Sequence, residues 1–183
     1  MLEKNIYLIS DLHLDHTNII KYCKRPFKTV EQMNKKILDN WNNKIKEEDT
    51  VYFIGDLTFG RESSGFDFWA EKLKGKIIFI KGGHDKSKKI NFLKQTTLDY
   101  KNMDFLLIHN PKDSPKNWKN WIIHGHHHNH YLDTFPFING KTKTINVSSE
   151  LIGYSPLNIN KLFELDFKNI IYMKNIFSKP IYK

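Results

Sequence analysis

Side chains able to hold a metal ion collect at one kind of place along this chain, just past short apolar runs. Asn5–Ser10 leads into Asp11-Leu12-His13, Thr50–Ile54 into Gly55-Asp56, and Lys76–Ile80 into Gly82-Gly83-His84-Asp85. Phe105–Ile108 leads into His109-Asn110, and Trp121–Ile123 into His124-Gly125-His126-His127-His128. All nine histidines, at 13, 16, 84, 109, 124, 126, 127, 128 and 130, follow such runs. Asp11 and His13 are two apart, so in extended backbone both project to one side and can reach one ion. His126 and His128 repeat the pattern, with His127 pointing away. Glycines at 55, 82, 83 and 125 let the backbone turn sharply beside such a site. Carboxylates and imidazoles without thiolate suit Mn²⁺, Fe or Zn²⁺ rather than a structural zinc cluster. Each piece alone has a plainer account. Asp11 could cap a helix near His16, His109 could be a satisfied core histidine, and His124–His130 could be a solvated metal-sequestering loop. Five separate strand ends carrying ligand types by accident is the harder explanation.

The elements that must position these residues are legible in outline. Asn5–Ser10, Thr50–Ile54, Lys76–Ile80, Phe105–Ile108 and Trp121–Ile123 read as buried strands, and Thr142–Val147 and Leu162–Phe167 as further strands. Thr29–Ile45 reads as a helix, because Val30, Met33, Ile37, Trp41 and Ile45 recur at spacings of three and four. Thr29 with Gln32 three residues on forms a capping-box pair at its start. Phe66–Leu73 predicts a short helix, and Lys86–Lys94 a helical turn or two. Strands separated by helices early, then closely spaced strands late, predict a layered α/β domain with a mixed sheet. Ligands in such sheets sit where strands deliver their carboxyl ends into loops.

Composition narrows the classes. At 183 residues the chain suits one domain, 1–183, and its 14% aromatic content argues against disorder. No apolar run approaches the ~20 residues that cross a bilayer. Met1-Leu2-Glu3-Lys4-Asn5 lacks a signal-peptide layout. The single cysteine, Cys23, allows no internal disulfide, so the expected compartment is the cytoplasm. Net charge is +9, yet only Arg25 and Arg61 of the 29 basic residues are arginine, whereas nucleic-acid readers favour arginine for bidentate contacts. The lysine excess still attracts phosphates. Lysines 86, 88, 89, 112, 116 and 119 are candidates for an anionic entrance or a solvated basic surface. Lys112–Lys119 and Tyr131–Lys143 are the candidate specificity segments.

The ordered set resembles the calcineurin-like metallophosphoesterase superfamily. Its signature runs Asp-x-His, Gly-Asp, Gly-Asn-His-(Asp/Glu), a lone His, then Gly-His-x-His, and all five blocks fit residues 5–128 in order and spacing. The resemblance implies a mixed α/β β-sandwich flanked by helices in four layers. It implies a first metal site of Asp11, His13, Asp56 and His128, and a second of Asp56, His109 and His126, with Asp56 bridging. It implies two divalent cations, Mn²⁺ foremost, with Fe, Zn, Ni or Co as alternatives. It places His84 on the phosphate as the catalytic acid, and His16, Arg25 and Asn110 are candidate substrate contacts. Two departures matter. The family's metal-binding Asn is Gly83 here, which removes a ligand from the second ion. The phosphomonoesterase pattern Gly-Asp-x-x-Asp-Arg-Gly is replaced by Gly55-Asp56-Leu57-Thr58-Phe59-Gly60-Arg61. The aspartate that orients the catalytic histidine is thus Phe59, and the phosphate-binding arginine is displaced by one. The second departure implies a phosphodiesterase acting on a nucleotide or oligonucleotide, and the first implies that its activity is weakened; the implied partner is a phosphorylated small molecule, a nucleotide or nucleic acid, with no membrane. The competing readings are a non-catalytic member of the fold that binds protein or nucleic acid, and a metal-storage protein built on His124–His130.

Overall fold

The computed structural model describes residues 5–60 and 63–183. Arg61 and the first four residues of the N-terminal reading lie outside these. Two sheets carry the fold. In the first, β1 (Ile6–Ile9) lies between β2 (Thr50–Ile54) and β9 (Leu157–Asn158), with β3 (Lys76–Ile80) beyond β2. The pairs β1–β2 and β2–β3 are parallel and β1–β9 is antiparallel. The second sheet runs β11 (Ile181–Tyr182), β10 (Ile170–Met173), β7 (Ile138–Asn139), β8 (Thr144–Asn146), β6 (Trp121–His124), β5 (Met103–Ile108), β4 (Gln95–Tyr100). Within it β5–β6 and β6–β8 are parallel and the other pairs antiparallel. The protein is thus a mixed α/β fold with two mixed sheets and few helices. The helices are α1 (Ile19–Tyr22), α2 (Val30–Asn42) and α3 (Phe66–Ala70), all before β3 among the described residues.

Parallel pairing explains where the chemistry collects. β1, β2 and β3 point the same way, so Asp11, Asp56 and His84 leave one edge of the first sheet together. β5, β6 and β8 likewise deliver His109, the His124–His128 run and Ser148. A parallel bridge between Ser10 and Ser148 joins the two edges, with the Ser10 N–H 3.1 Å from the Val147 carbonyl and the Ser149 N–H 3.1 Å from the Ser10 carbonyl.

Helix α2 forms as its periodicity requires, burying Met33, Ile37 and Trp41. Trp41 packs 6.4 Å from Phe53 of β2 and donates its indole N–H to the Lys74 carbonyl at 2.9 Å. Thr29 accepts the Gln32 N–H at 3.2 Å, while the Gln32 side chain accepts from Lys28 rather than from Thr29. The helix ends at Asn42, three residues short of the expected Ile45, which is nonetheless buried.

Two elements differ from expectation. Lys86–Lys94 is not helical. The Ser87 hydroxyl accepts the Lys89 and Ile90 N–H groups, each at 2.9 Å, which turns the chain, and Leu93 then pairs with Ile80 as an extra edge bridge. Leu162–Phe167 is not a strand, because Ile159–Glu164 winds as a 3₁₀ turn started by the Asn158 side chain on the Asn160 N–H. Its apolar residues pack one-sidedly, with Phe163 and Phe167 at 6.1 and 6.4 Å from Phe105.

Candidate metal centre

Asp11 is built in from every side. Its N–H donates to the Gly55 carbonyl at 2.9 Å, so β1 and β2 stay joined past their ends. The His13 N–H continues this, donating to the Asp56 carbonyl at 3.1 Å. The Asp11 carboxylate is fully buried. It accepts the Ser10 hydroxyl at 2.6 Å, the Ser148 hydroxyl at 2.8 Å and the His126 N–H at 3.0 Å. Gly55 must be glycine: its φ is +87°, and an added Cβ would stand 2.6 Å from both the Gly82 Cα and His109 Nδ1.

Two donor groups share this corner. Asp11, His13 and His128 form one, and Asp11, Asp56 and His109 the other, with ligand atoms within 4.8 Å of one another in each. Asp56 lies between the two imidazoles, its Oδ2 3.7 Å from His13 Nε2 and 3.3 Å from His109 Nε2. His109 is oriented by its other nitrogen, Nδ1, 2.8 Å from the Ile54 carbonyl. His128 is oriented the same way, Nδ1 lying 3.0 Å from Glu150 and Nε2 3.8 Å from Asp11 Oδ1. His126 stands at the rim, exposed, its ring 5.1 Å from that of His109. It lies outside both donor groups.

The donors fit divalent cations. His13 Nε2 and His109 Nε2 are buried with no hydrogen-bond partner, and both face a carboxylate. Orphaned buried nitrogens of this kind are costly unless something binds them. The electrostatics divide: burial and then the neighbouring His128 push His13 well below the usual imidazole range, toward the neutral form that ligates. Burial alone would lower His109 and His128, yet the facing carboxylates raise them to about 9 and about 11. Burial alone would raise Asp56, yet the His109 and His13 imidazoles hold its carboxyl well below the usual carboxylate range. A pocket that does this stabilises positive charge. The backbone bends to build it: Asp11, His13, Asp56, His126 and His128 all have left-handed φ, between +49° and +70°.

The remaining expected residues fall in different places. His84 is exposed at the edge of the cluster, its N–H 2.9 Å from Asp56 Oδ1 and its ring 5.8 Å from that of His13. No aspartate orients it. The Phe59 ring lies 4.4 Å away instead, and Asp85 accepts N–H groups from Asp56, Leu57 and Gly82. His16 is half-buried, 5.4 Å from His13. Asn110 caps the 3₁₀ turn Pro111–Asp113 and lines a cavity of about 380 Å³ with Gly83, His109 and His126. Arg25 corrects the expectation of a substrate contact. Its side chain has no exposure, and its guanidinium donates to the Leu12 and Asp11 carbonyls at 2.7 and 2.8 Å and to Glu150 at 2.7 Å. It holds the loop that carries Asp11 and His13.

Sequence reasoning missed Glu150, Ser10, Ser148 and Ser149. Glu150 is the acceptor for both Arg25 and His128, while Ser149 donates to the Asp11 carbonyl at 2.9 Å. A buried carboxylate supporting a histidine fixes the ring and raises its basicity. The signal available was Ser148-Ser149-Glu150, a polar triplet directly after the apolar stretch ending at Val147.

Residues 5–148 match the calcineurin-like phosphoesterase superfamily domain. The chain is 47% identical to an uncharacterized protein of Methanocaldococcus jannaschii over 167 residues, 90% of this chain and 93% of that one. Its fold is similar to the crystal structure of a protein of unknown function from Aquifex aeolicus, with a TM-score of 0.67 and 25% identity, covering 90% of this chain and all of that one. A phosphoesterase of E. coli, Yfce, aligns at a TM-score of 0.42 and 14% identity, over 79% of this chain and 78% of that one. No helix among the described residues is long and apolar enough to cross a membrane. With its ligand-bearing strand ends gathered in one corner and the family's domain spanning residues 5–148, the chain belongs to the calcineurin-like phosphoesterase superfamily.

Proposed function

We propose that the protein is a dinuclear, divalent-metal-dependent phosphodiesterase that hydrolyses a nucleotide or oligonucleotide. The observation that carries the reading is Asp56 Oδ2, one carboxylate oxygen within 3.7 Å of His13 Nε2 and 3.3 Å of His109 Nε2. Asp11, His13, Asp56 and His128 would hold one cation, and Asp56, His109 and His126 the other, with Mn²⁺ the preferred metal. Cations bound there supply Lewis acidity toward phosphoryl oxygens and lower the pKa of water toward neutrality. The residues do the rest. Asp11 and Asp56 fix the charge of the corner, and the Glu150 and Ile54 acceptors hold the His128 and His109 rings in place. His84, exposed beside the cluster, contacts the phosphate and gives its proton to the leaving oxygen. The alkoxide expelled from a nucleotide diester is a poor leaving group, so that proton matters.

Shape supports a diester. Gly83 lines both the cavity beside His109 and a second of about 560 Å³ beside Phe59 and His84. A diester has a substituent on each side of phosphorus, and the site offers room on each side. The test is bis-p-nitrophenyl phosphate turnover after chelation and addition of Mn²⁺. Turnover that appears only with metal is the expected result. Absence of turnover with Mn²⁺, Fe, Zn²⁺, Ni²⁺ and Co²⁺ alike would overturn the reading. It would favour a non-catalytic binding protein, for which Gly83 is the specific observation.

Gly83 makes its own prediction. A Cβ added there meets nothing within 4 Å, so a side chain can leave the backbone at this position without a clash. Gly83→Asn is expected to tighten the second cation about tenfold, the scale of one supporting group at a metal site, and to raise phosphodiester turnover with it. Metal analysis and kcat measured across a Mn²⁺ titration check both. Unchanged occupancy and rate would remove the idea that a vacant ligand position limits catalysis.

A further inference from the structure

We infer that Phe59 and Tyr22 form a stacking platform for a nucleobase on the leaving-group side of the substrate. The inference rests on the phosphodiesterase reading and narrows it to substrates with a base on that side.

Four rings stand in a row at the mouth of the centre. Tyr22 lies 6.2 Å from His16, His16 4.3 Å from Phe59, and Phe59 4.4 Å from His84. His16, His84 and Phe59 are 5.4, 5.8 and 6.2 Å from the His13 ring, so the row begins beside a candidate metal ligand. Phe59 is 37% exposed and Tyr22 61% exposed. An open phenyl ring beside a buried, charged cluster leaves apolar surface in water where the site is otherwise polar. A planar partner would remove that surface.

The platform is fixed in place. The Phe59 N–H donates to the Leu14 carbonyl at 3.2 Å, and Leu14 bridges Thr58, so the ring stands on backbone tied to the metal-site loops. The cavity of about 560 Å³ that it lines also contains His84 and Lys86. His84 is the group assigned to the leaving oxygen, so whatever hangs from that oxygen enters this cavity and meets Phe59. Lys86 adds a cation there, suited to a further phosphate of a nucleotide chain. The opposite cavity is lined by three rings, of which His109 and His126 are candidate metal ligands and Phe92 packs against Phe66 and Phe79. Base–aromatic stacking is worth about 1–3 kcal/mol per base by alanine substitution and tolerates any base, because every base has a π-face.

A plainer account is that Phe59 merely buttresses His84 in place of an orienting carboxylate. The two differ in what they discriminate. A buttress acts on every substrate equally, whereas a stacking ring acts only on those with a base over it. The experiment uses the Mn²⁺-loaded protein with dithymidine phosphate and its analogue lacking the leaving-side base. For the unaltered protein the kcat/KM ratio of intact to abasic substrate is expected to be about 10 or more, the scale of one stacked base. Phe59→Ala should bring the ratio close to 1, and Tyr22→Ala should lower it part of the way. Phe59→Trp should keep it. A ratio near 1 for the unaltered protein, or one that Phe59→Ala leaves as it was, overturns the platform. Cleavage of bis-p-nitrophenyl phosphate but of neither dinucleoside substrate overturns the platform and leaves the phosphoesterase reading standing. Failure to cleave any diester with any of the five metals brings down both.

Discussion

Asp56→Asn is expected to lower metal-dependent phosphodiester turnover about 10³-fold, against less than about tenfold for His16→Ala. The substitution keeps the shape of the side chain. Its remaining oxygen can accept the His84 N–H that Asp56 Oδ1 accepts at 2.9 Å. What changes is the atom between His13 and His109, which becomes an amide nitrogen that cannot ligate and that donates where an acceptor is required. Both proposed cation sites lose their shared oxygen at once. His16 touches neither group directly; its ring faces Phe59 and Tyr22. Turnover measured beside metal content checks the pair. Comparable losses in the two variants would contradict a bridging role for Asp56.

The second large effect concerns Glu150, which lies outside the cluster yet supports it. Glu150→Gln is expected to cost about 3 kcal/mol of folding stability, because a buried guanidinium then loses its counter-charge. The Arg25 and Glu150 side chains are 0% and 2% exposed, so water cannot substitute. The same change removes the carboxylate from His128 Nδ1 and should weaken metal binding by about 10–100-fold. The two effects separate in the double variant. Arg25→Met with Glu150→Gln removes both charges, so much of the stability should return while the metal affinity stays low. Denaturant unfolding and metal titration of the three variants measure this. Recovery of metal affinity in the double variant would mean that Glu150 acts through Arg25 and not through His128.

The ligand-bearing strand ends were readable from sequence because hydrophobic patterning and polar punctuation coincide there. Asp11, His13, Asp56, His109 and His128 each follow a buried strand, and a parallel sheet forces such ends together. The support beneath them was not readable. Arg25 and Glu150 are 125 positions apart, and nothing local ties either to His128. Type alone misled for Arg25, a candidate substrate contact until its burial was known. Strand β4 escaped because Gln95-Thr96-Thr97 is polar, as an edge strand can be, and among the described residues it pairs only with β5. Lys86–Lys94 failed for the opposite reason: its spacing permitted a helix, and one serine hydroxyl decided otherwise.

Five of the six expected ligands hold left-handed backbone, a conformation that costs a residue with a side chain about 1–2 kcal/mol. Glycine would relieve that burden at each position. Robustness and reactivity therefore draw in opposite directions in this corner. Any search that rewards heat resistance alone would drift toward glycine at His126, the exposed one of the five, and would end with a sturdier polypeptide that has forgotten part of its chemistry.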